Sequence, residues 1–480
     1  MASNRNRWLL TGIATTAMSA LCYWFGTGLD PLWWLAWLAP VPVLWLATRV
    51  RASAAALSAF AVVVLAAFNQ WHYVHDLVHL PVPVLILSTF VPALVFALTV
   101  LLYRRLALRG RHVAAMLSVP LFWTAVYFGN AAASPHGTWG DLAYTQMNMP
   151  LVIQIAALTG LWGIGFLVML GPACVAVSCD SGATARARQQ AGLLGGALLA
   201  LALGYGAWRL QADDSQHTVK IGLVSLQQEK PEAQTEIEGG ALLARYVTAL
   251  DKLADAGAQF AVLPEVTFRV TEPDIAALRE FAQRRGITVV AGVDLKVADA
   301  PERNASLAFG AGGGAPTVYS KQHLLPVLEG RFTPGSGTTL LSETRIGLTI
   351  CKDNDFPALG REYGARDTQL LLIPAWDFQL DDWLHSRMAI LRGVESGFAI
   401  ARTARDGRLT LSDDRGRVLA EASSVNVDAQ LVGELPLRTT RTLYTRWGDW
   451  FAWLCVGGFV LVLLRALQRG ARIQRQNRSP

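Results

Sequence analysis

Eight long apolar stretches govern what this chain can fold into. They run over about 8–25, 31–48, 52–68, 83–103, 113–130, 151–178, 191–208 and 447–464. A bilayer core roughly 30 Å thick is crossed by an α-helix of about 17 to 25 mostly apolar residues, so each stretch reads as a membrane span. Composition agrees: 52% of residues are hydrophobic and only 16% are charged, where soluble domains carry roughly 25% charged residues. Pro40, Pro42, Pro81, Pro83 and Pro92 lie within or beside the stretches. Proline is tolerated there because neighbouring helices satisfy the carbonyls it frees.

The basic residues set the direction of crossing. Arg5 and Arg7 precede the first stretch, Arg49 and Arg51 follow the second, and Arg104, Arg105, Arg109 and Arg111 follow the fourth. Arg186 and Arg188 follow the sixth. Loops 26–30, 69–82 and 131–150 contain no Lys or Arg. The positive-inside rule then puts the N-terminus in the cytoplasm, and seven crossings leave residue 209 outside. An eighth crossing returns the chain to the cytoplasm, where Arg465, Arg469, Arg472, Arg475 and Arg478 follow. The net charge of +6 is thereby accounted for by topology rather than by nucleic acid. The expected domains are a membrane domain over 1–210 with about seven helices, an extracytoplasmic α/β domain over 217–440, a transmembrane helix over 446–466 and a basic cytoplasmic tail over 467–480. Ser19-Ala-Leu-Cys22 faintly resembles a lipoprotein cleavage site, but Leu21 is bulky where a small residue is wanted, and further apolar stretches follow. The first stretch is read as an uncleaved span.

Other readings are set aside on residues. The five cysteines (Cys22, Cys174, Cys179, Cys351, Cys455) form no disulfide or zinc pattern. His72, His75, Asp76 and His79 could ligate a metal, but Trp71 and Tyr73 beside them make an interfacial loop the preferred reading. No metal or cofactor is expected. Few ionisable residues lie within the spans, which speaks against a transporter.

Residues 217–440 have a different character. β-like runs at 219–226, 260–264 and 287–292 alternate with amphipathic stretches at 242–256 and 275–285, and a further helical stretch covers 384–395. This implies a layered α/β domain. The run 310–314 is a turn, with no helix and Lys-Ser/Thr after it to make a phosphate loop. Three strand patterns end on an ionisable residue: Phe260-Ala-Val-Leu-Pro-Glu265, Val318-Tyr-Ser-Lys321 and Arg345-Ile-Gly-Leu-Thr-Ile-Cys351. Cys351 is expected at a strand-to-turn elbow, partly exposed and beside Lys352, where a thiol pKa falls.

Glu, Lys and Cys in that order, each at a strand end, resemble the nitrilase (carbon–nitrogen hydrolase) superfamily. The resemblance implies an αββα sandwich with the three side chains meeting at one edge. Glu265 would be the general base, Lys321 would stabilise an oxyanion, and Cys351 would be the nucleophile. The chemistry requires these types: a base for the thiol, a thiolate to form the thioester, and fixed positive charge where negative charge develops.

Such a domain between a seventh and an eighth span resembles the apolipoprotein N-acyltransferase family over nearly the whole chain. Gly28-Leu-Asp-Pro-Leu-Trp-Trp-Leu-Ala36, His385-Ser-Arg-Met-Ala-Ile-Leu-Arg392-Gly-Val-Glu395 and Leu443-Tyr-Thr-Arg-Trp-Gly-Asp-Trp450 are similar to that family's motifs. Glu329 matches a second functional glutamate, expected to hold Lys321 or a substrate amine. The resemblance implies a bacterial inner-membrane enzyme with its catalytic domain on the periplasmic side. It would take an acyl group from a phospholipid donor and pass it to the N-terminal amine of an apolipoprotein acceptor. The alternative is a membrane-anchored amidase. The chain departs from the family in having Cys351-Lys352-Asp353 for Cys-Tyr-Glu and Ile373-Pro-Ala-Trp376 for Asn-Asp-Ala-Trp. Asp353, Lys352 and Trp376 are therefore expected to support the site or touch substrate.

Overall fold

The structure, a computed structural model, describes residues 2–211, 217–228 and 236–468. Arg469, Arg472, Arg475 and Arg478 of the expected basic tail lie outside the described residues. Seven described helices are long and apolar enough to cross a membrane: Trp8–Gly26, Ala52–Gln70, Val82–Ala107, His112–Ala133, Leu161–Ser178, Ala185–Gln211 and Trp450–Leu467. The remaining expected span, 31–48, is two short helices, Trp33–Leu38 and Val41–Ala47. Pro40 and Pro42 lack the N–H groups that would continue one helix.

This broken segment still joins the two ends of the bundle. At one end Asn69 donates to the carbonyls of Trp24 (2.8 Å) and Thr27 (3.0 Å), so the first helix finishes where Ala52–Gln70 finishes. At the other end Arg104 donates to Val50 O (2.7 Å) and Arg49 to Cys179 O (3.1 Å). Arg105 and Arg109 donate to Ala466 O there (3.1 and 2.5 Å). Residues 27–49 therefore run from one end to the other, an eighth traverse that length alone would miss. The arginines gather at one end and the α/β domain sits at the opposite one.

Two other spans depart from expectation. The stretch 151–178 is interrupted: single turns at Pro150–Ile153 and Ala156–Thr159 precede Leu161–Ser178. The break falls at Gly160, whose φ is +66° and where a Cβ would stand 2.5 Å from the Tyr444 ring. Only glycine combines that dihedral with that approach. The last span starts at Trp450 because Gly448, at φ +60°, separates it from the short helix Leu443–Trp447.

The C-terminal domain is an αββα sandwich. One sheet has the strand order Ala429–Leu437, His217–Ser225, Phe260–Val262, Thr288–Leu295, Arg303–Phe309, Thr317–Ser320, with Phe268–Val270 paired to Thr288–Leu295. The other runs Val418–Ser423, Arg408–Ser412, Ala399–Arg405, Leu370–Trp376, Ile346–Leu348, Thr339–Leu340. Strand alternation builds the layers. Ile221, Leu223, Val262, Leu370 and Leu372 point into the core between the sheets. Their neighbours Val224, Ala261 and Leu263 face the helices Glu236–Asp255 and Ala276–Arg285. Leu371 and Ile373 face Pro357–Ala365 and Asp382–Ser396.

Helix Asp382–Ser396 is buried on nearly every side. Ala389 packs on the sheet with Leu371, Ile373 and Ile400. Trp383, Leu384, Met388, Ile390, Leu391 and Val394 pack into the core of the membrane bundle. A helix buried on nearly every side has neighbours on nearly every side, and this one is the seat of the α/β domain on the membrane domain.

Candidate active site

Glu265 follows the strand Phe260–Val262 and crosses closely over Thr288–Leu295. A Cβ at Gly292 would lie 2.4 Å from Pro264 O and 2.5 Å from Glu265 Cα, so that crossing requires glycine. Glu265 N donates to Ala375 O (3.2 Å), and the Cys351 thiol donates to the next carbonyl, Trp376 O (3.6 Å). The end of strand Leu370–Trp376 thus brings the glutamate and the cysteine together. Cys351 itself has φ +38°. A non-glycine residue there costs on the order of 1–3 kcal/mol and persists only where its surroundings over-determine it.

Lys321 is fully buried, and its ammonium lies 2.7 Å from Glu265 Oε1 and 2.8 Å from Glu329 Oε2. Asn304 donates to both carboxylates, at 2.6 and 2.7 Å, and Leu325 N donates to Glu329 (2.7 Å). Burial alone would strip Lys321 of its proton, but Glu265, Glu329 and Cys351 outweigh it and hold the ammonium well above its ordinary range. Burial raises Glu265 above an ordinary carboxyl, against the pull of Lys321.

The thiol corrects an expectation. Cys351 is only half-buried by surface, yet its pKa lies well above the ordinary value. Burial raises it first and the Glu265 charge second, while Lys321 and Arg402 only partly offset them. Lys352 does not activate it: its ammonium points to Asp355 (3.2 Å) and to His136 Nδ1 (3.5 Å). A thiol of this kind rests protonated and needs a base at the moment of attack.

Asp353 is a staple. Its carboxylate accepts from Tyr319 OH (2.7 Å), Gln322 N (3.1 Å), His323 N (2.9 Å), His323 Nδ1 (3.0 Å) and Ile350 N (3.2 Å). It therefore ties the chain on either side of Lys321 to the turn that carries Cys351. Asp353→Ala is expected to leave several buried donors unpaired and cost about 3 kcal/mol or more, read as a lower unfolding temperature of the purified protein. An unchanged unfolding temperature would remove the staple. The Trp376 ring lies under the Arg405 guanidinium, 3.7 Å from its centre.

Sequence reasoning missed Asn304, Asp377 and Arg402. Arg402 is buried and bidentate to Asp377, with one bond of 2.9 Å. His385 lies 3.6 Å from Asp377 and 3.0 Å from Asp381. Although burial opposes the charge, the two carboxylates push His385 up to about 10. Tyr73 OH donates to Asp381 (2.6 Å), so the loop at 71–79 reaches this chain of charges. Elsewhere in that loop His72 and His75 pair with Asp76. Among the described residues no three His, Cys, Asp or Glu side chains converge as a metal site. Asn304 and Arg402 lie within strands beside other polar residues, and Asp377 directly follows one, so no local pattern singled them out.

A sandwich with such an edge is the carbon–nitrogen hydrolase architecture, here built onto a membrane bundle. A family model described as Carbon-nitrogen hydrolase matches residues 220–446. Another, described as Apolipoprotein N-acyltransferase N-terminal domain, matches residues 19–174. The apolipoprotein N-acyltransferase of Geobacter metallireducens is 27% identical over 75% of this chain and 75% of its own length. That of Gloeobacter violaceus is 28% identical over 71% of this chain and 70% of its own. Among solved structures, a carbon-nitrogen hydrolase from Helicobacter pylori G27 aligns with 49% of this chain and 94% of its own, at 16% identity and a TM-score of 0.41. With both domains matched in order, the chain is similar to the apolipoprotein N-acyltransferases over most of its length.

Proposed function

We propose that this chain transfers a fatty acyl group from a phospholipid to the N-terminal amine of a diacylglyceryl-cysteine lipoprotein, through a thioester on Cys351. The observation that carries the reading is the joining of a Glu–Lys–Cys edge to a bundle of membrane helices. Both substrates are lipids, and a lipid ester is best met by a nucleophile held at a membrane surface.

Glu265 takes the thiol proton as Cys351 attacks the ester carbonyl. Negative charge develops on the carbonyl oxygen, and the Lys321 ammonium stabilises it. The tetrahedral intermediate collapses, the lysophospholipid oxygen leaves with the proton from Glu265, and a thioester remains. The acceptor amine then attacks, Glu265 takes its proton, and the thiolate leaves and is reprotonated. Glu329 and Asn304 keep Lys321 in place throughout. In the amidase alternative water would replace the amine, and the matched membrane domain favours transfer. Intact mass spectrometry after incubation with phospholipid tests this reading. The expected result is one acyl adduct on Cys351, discharged when a diacylglyceryl-cysteine peptide is added. Free fatty acid released at one rate with and without peptide would establish hydrolysis instead.

The reading places the catalytic domain on the periplasmic side of the bacterial inner membrane. Support comes from the gathering of Arg49, Arg104, Arg105 and Arg109 at the opposite end of the bundle. Reporter fusions at residue 300 are expected to report the periplasm, and fusions after residues 110 and 470 the cytoplasm. A cytoplasmic signal at 300 would overturn the orientation.

A further inference from the structure

The nucleophile turn is gripped from the membrane side. Residues 136–138 belong to the connection after helix His112–Ala133, yet three of their contacts fall on the turn Cys351–Asp355. Thr138 donates to the Asp355 carbonyl twice, from its backbone N–H (3.0 Å) and from its hydroxyl (2.8 Å). His136 Nδ1 meets the Lys352 ammonium at 3.5 Å. Gly137, at φ +54°, is pressed so close that a Cβ would stand 2.5 Å from Asp355 O.

The hydroxyl protons can be assigned. Thr138 has a single one, and it goes to Asp355 O. Tyr144 OH must therefore donate to Thr138 Oγ1 (2.6 Å), and Arg392 donates to Tyr144 in turn (3.0 Å). Arg392 ion-pairs with Glu395 (3.0 Å), whose other oxygen accepts Leu161 N–H (2.7 Å) at the start of helix Leu161–Ser178. Thr138, Tyr144, Arg392 and Glu395 are all at most 2% exposed. A buried chain of hydrogen bonds and one ion pair thus runs from the first turn of a membrane helix to the carbonyl that closes the Cys351 turn.

We propose that Thr138 is a positioning residue: the membrane domain holds Cys351 in its left-handed conformation by clamping Asp355 O. Such a conformation relaxes unless its neighbours fix it; within the turn Asn354 donates to Cys351 O (3.1 Å) and Asp353 accepts from Ile350 N (3.2 Å), and neither holds the Asp355 carbonyl. The proposal rests on Cys351 being the nucleophile. It also gives Lys352 a place in the grip rather than beside the thiol.

The test uses the full chain in lipid nanodiscs and three variants: Thr138→Val, Thr138→Ser and Gly137→Ala. Thr138→Val keeps shape and the backbone bond but removes the hydroxyl. It is expected to lower the acylation rate constant of Cys351 about tenfold with the phospholipid KM unchanged, since small misplacements of reacting groups cost that much. Alkylation of Cys351 by iodoacetamide, read by peptide mass spectrometry against pH, is expected to shift its midpoint downward. A loosened turn lets water reach a thiol that burial and Glu265 now hold protonated, while Lys321 and Arg402 continue to pull its pKa down. Thr138→Ser is expected to restore both readouts, and Gly137→Ala to exceed Thr138→Val in both. Alkylation reads the clamp without any acyl transfer, so failure of the clamp and failure of the transfer reading appear in different measurements. An unchanged alkylation midpoint in Thr138→Val overturns the proposal. So does a loss of activity that matches the loss of folded protein.

Discussion

Cys351→Ser protein, supplied with phospholipid and no acceptor, is expected to release no burst of lysophospholipid and to carry no acyl adduct. Wild-type protein should release one equivalent and then stall until peptide is added. Sulfur and oxygen differ little in position here, so the turn and its staple survive the change. They differ greatly in acidity. Even a thiol with an ordinary pKa of about 8.5 yields useful nucleophile with a base beside it, while a serine hydroxyl is a far weaker acid. The expected loss is about a thousandfold or more in the acylation rate. Peptide acylation persisting in Cys351→Ser would move the active site elsewhere.

The Glu–Lys pair gives the second large effect, and the two members should fail differently. Lys321→Arg keeps charge but puts a planar fork into a space closed by Glu265, Glu329 and Asn304, so the group would no longer meet the oxyanion proposed for it. Glu265→Gln keeps volume and loses the proposed base. Each is expected to slow thioester formation by at least about a hundredfold. Glu265→Gln carries a further signature of opposite sign. The Glu265 charge raises the Cys351 pKa. Its removal should lower the pH at which iodoacetamide modifies the thiol, even as acyl transfer is lost. Near-normal acylation in either variant would dissolve the assignment.

Much of this was legible in the sequence because the signals are local. Apolar length and arginine placement need no tertiary information, and they led to eight traverses. Glu265, Lys321 and Cys351 each close a strand pattern, and their order pointed to the sandwich. What stayed hidden depends on residues distant in the chain. The break at Gly160 is set by the Tyr444 ring. Asn304 acquires meaning only when Glu265 and Glu329 arrive from either side of it. The state of the thiol was misjudged for the same reason. Lys352 is its neighbour in sequence, but the side chain turns to Asp355 and His136, and burial decides the pKa instead. The strands Arg303–Phe309 and Ala429–Leu437 were not recognised either. The latter closes against His217–Ser225 from more than two hundred residues away.

Helix Asp382–Ser396 bears on how such an enzyme can be handled. Its sequence reads as part of the catalytic unit, yet six of its large apolar side chains are filed among the membrane helices. Cutting the chain at the apparent domain boundary would turn those side chains to water, at a cost on the order of 10 kcal/mol. That is comparable to the whole stability of an ordinary domain. A liberated hydrolase domain would clump rather than dissolve. Inhibitor screens and crystallisation trials would do better with the intact chain in lipid, because no water-soluble half of this enzyme is waiting to be released.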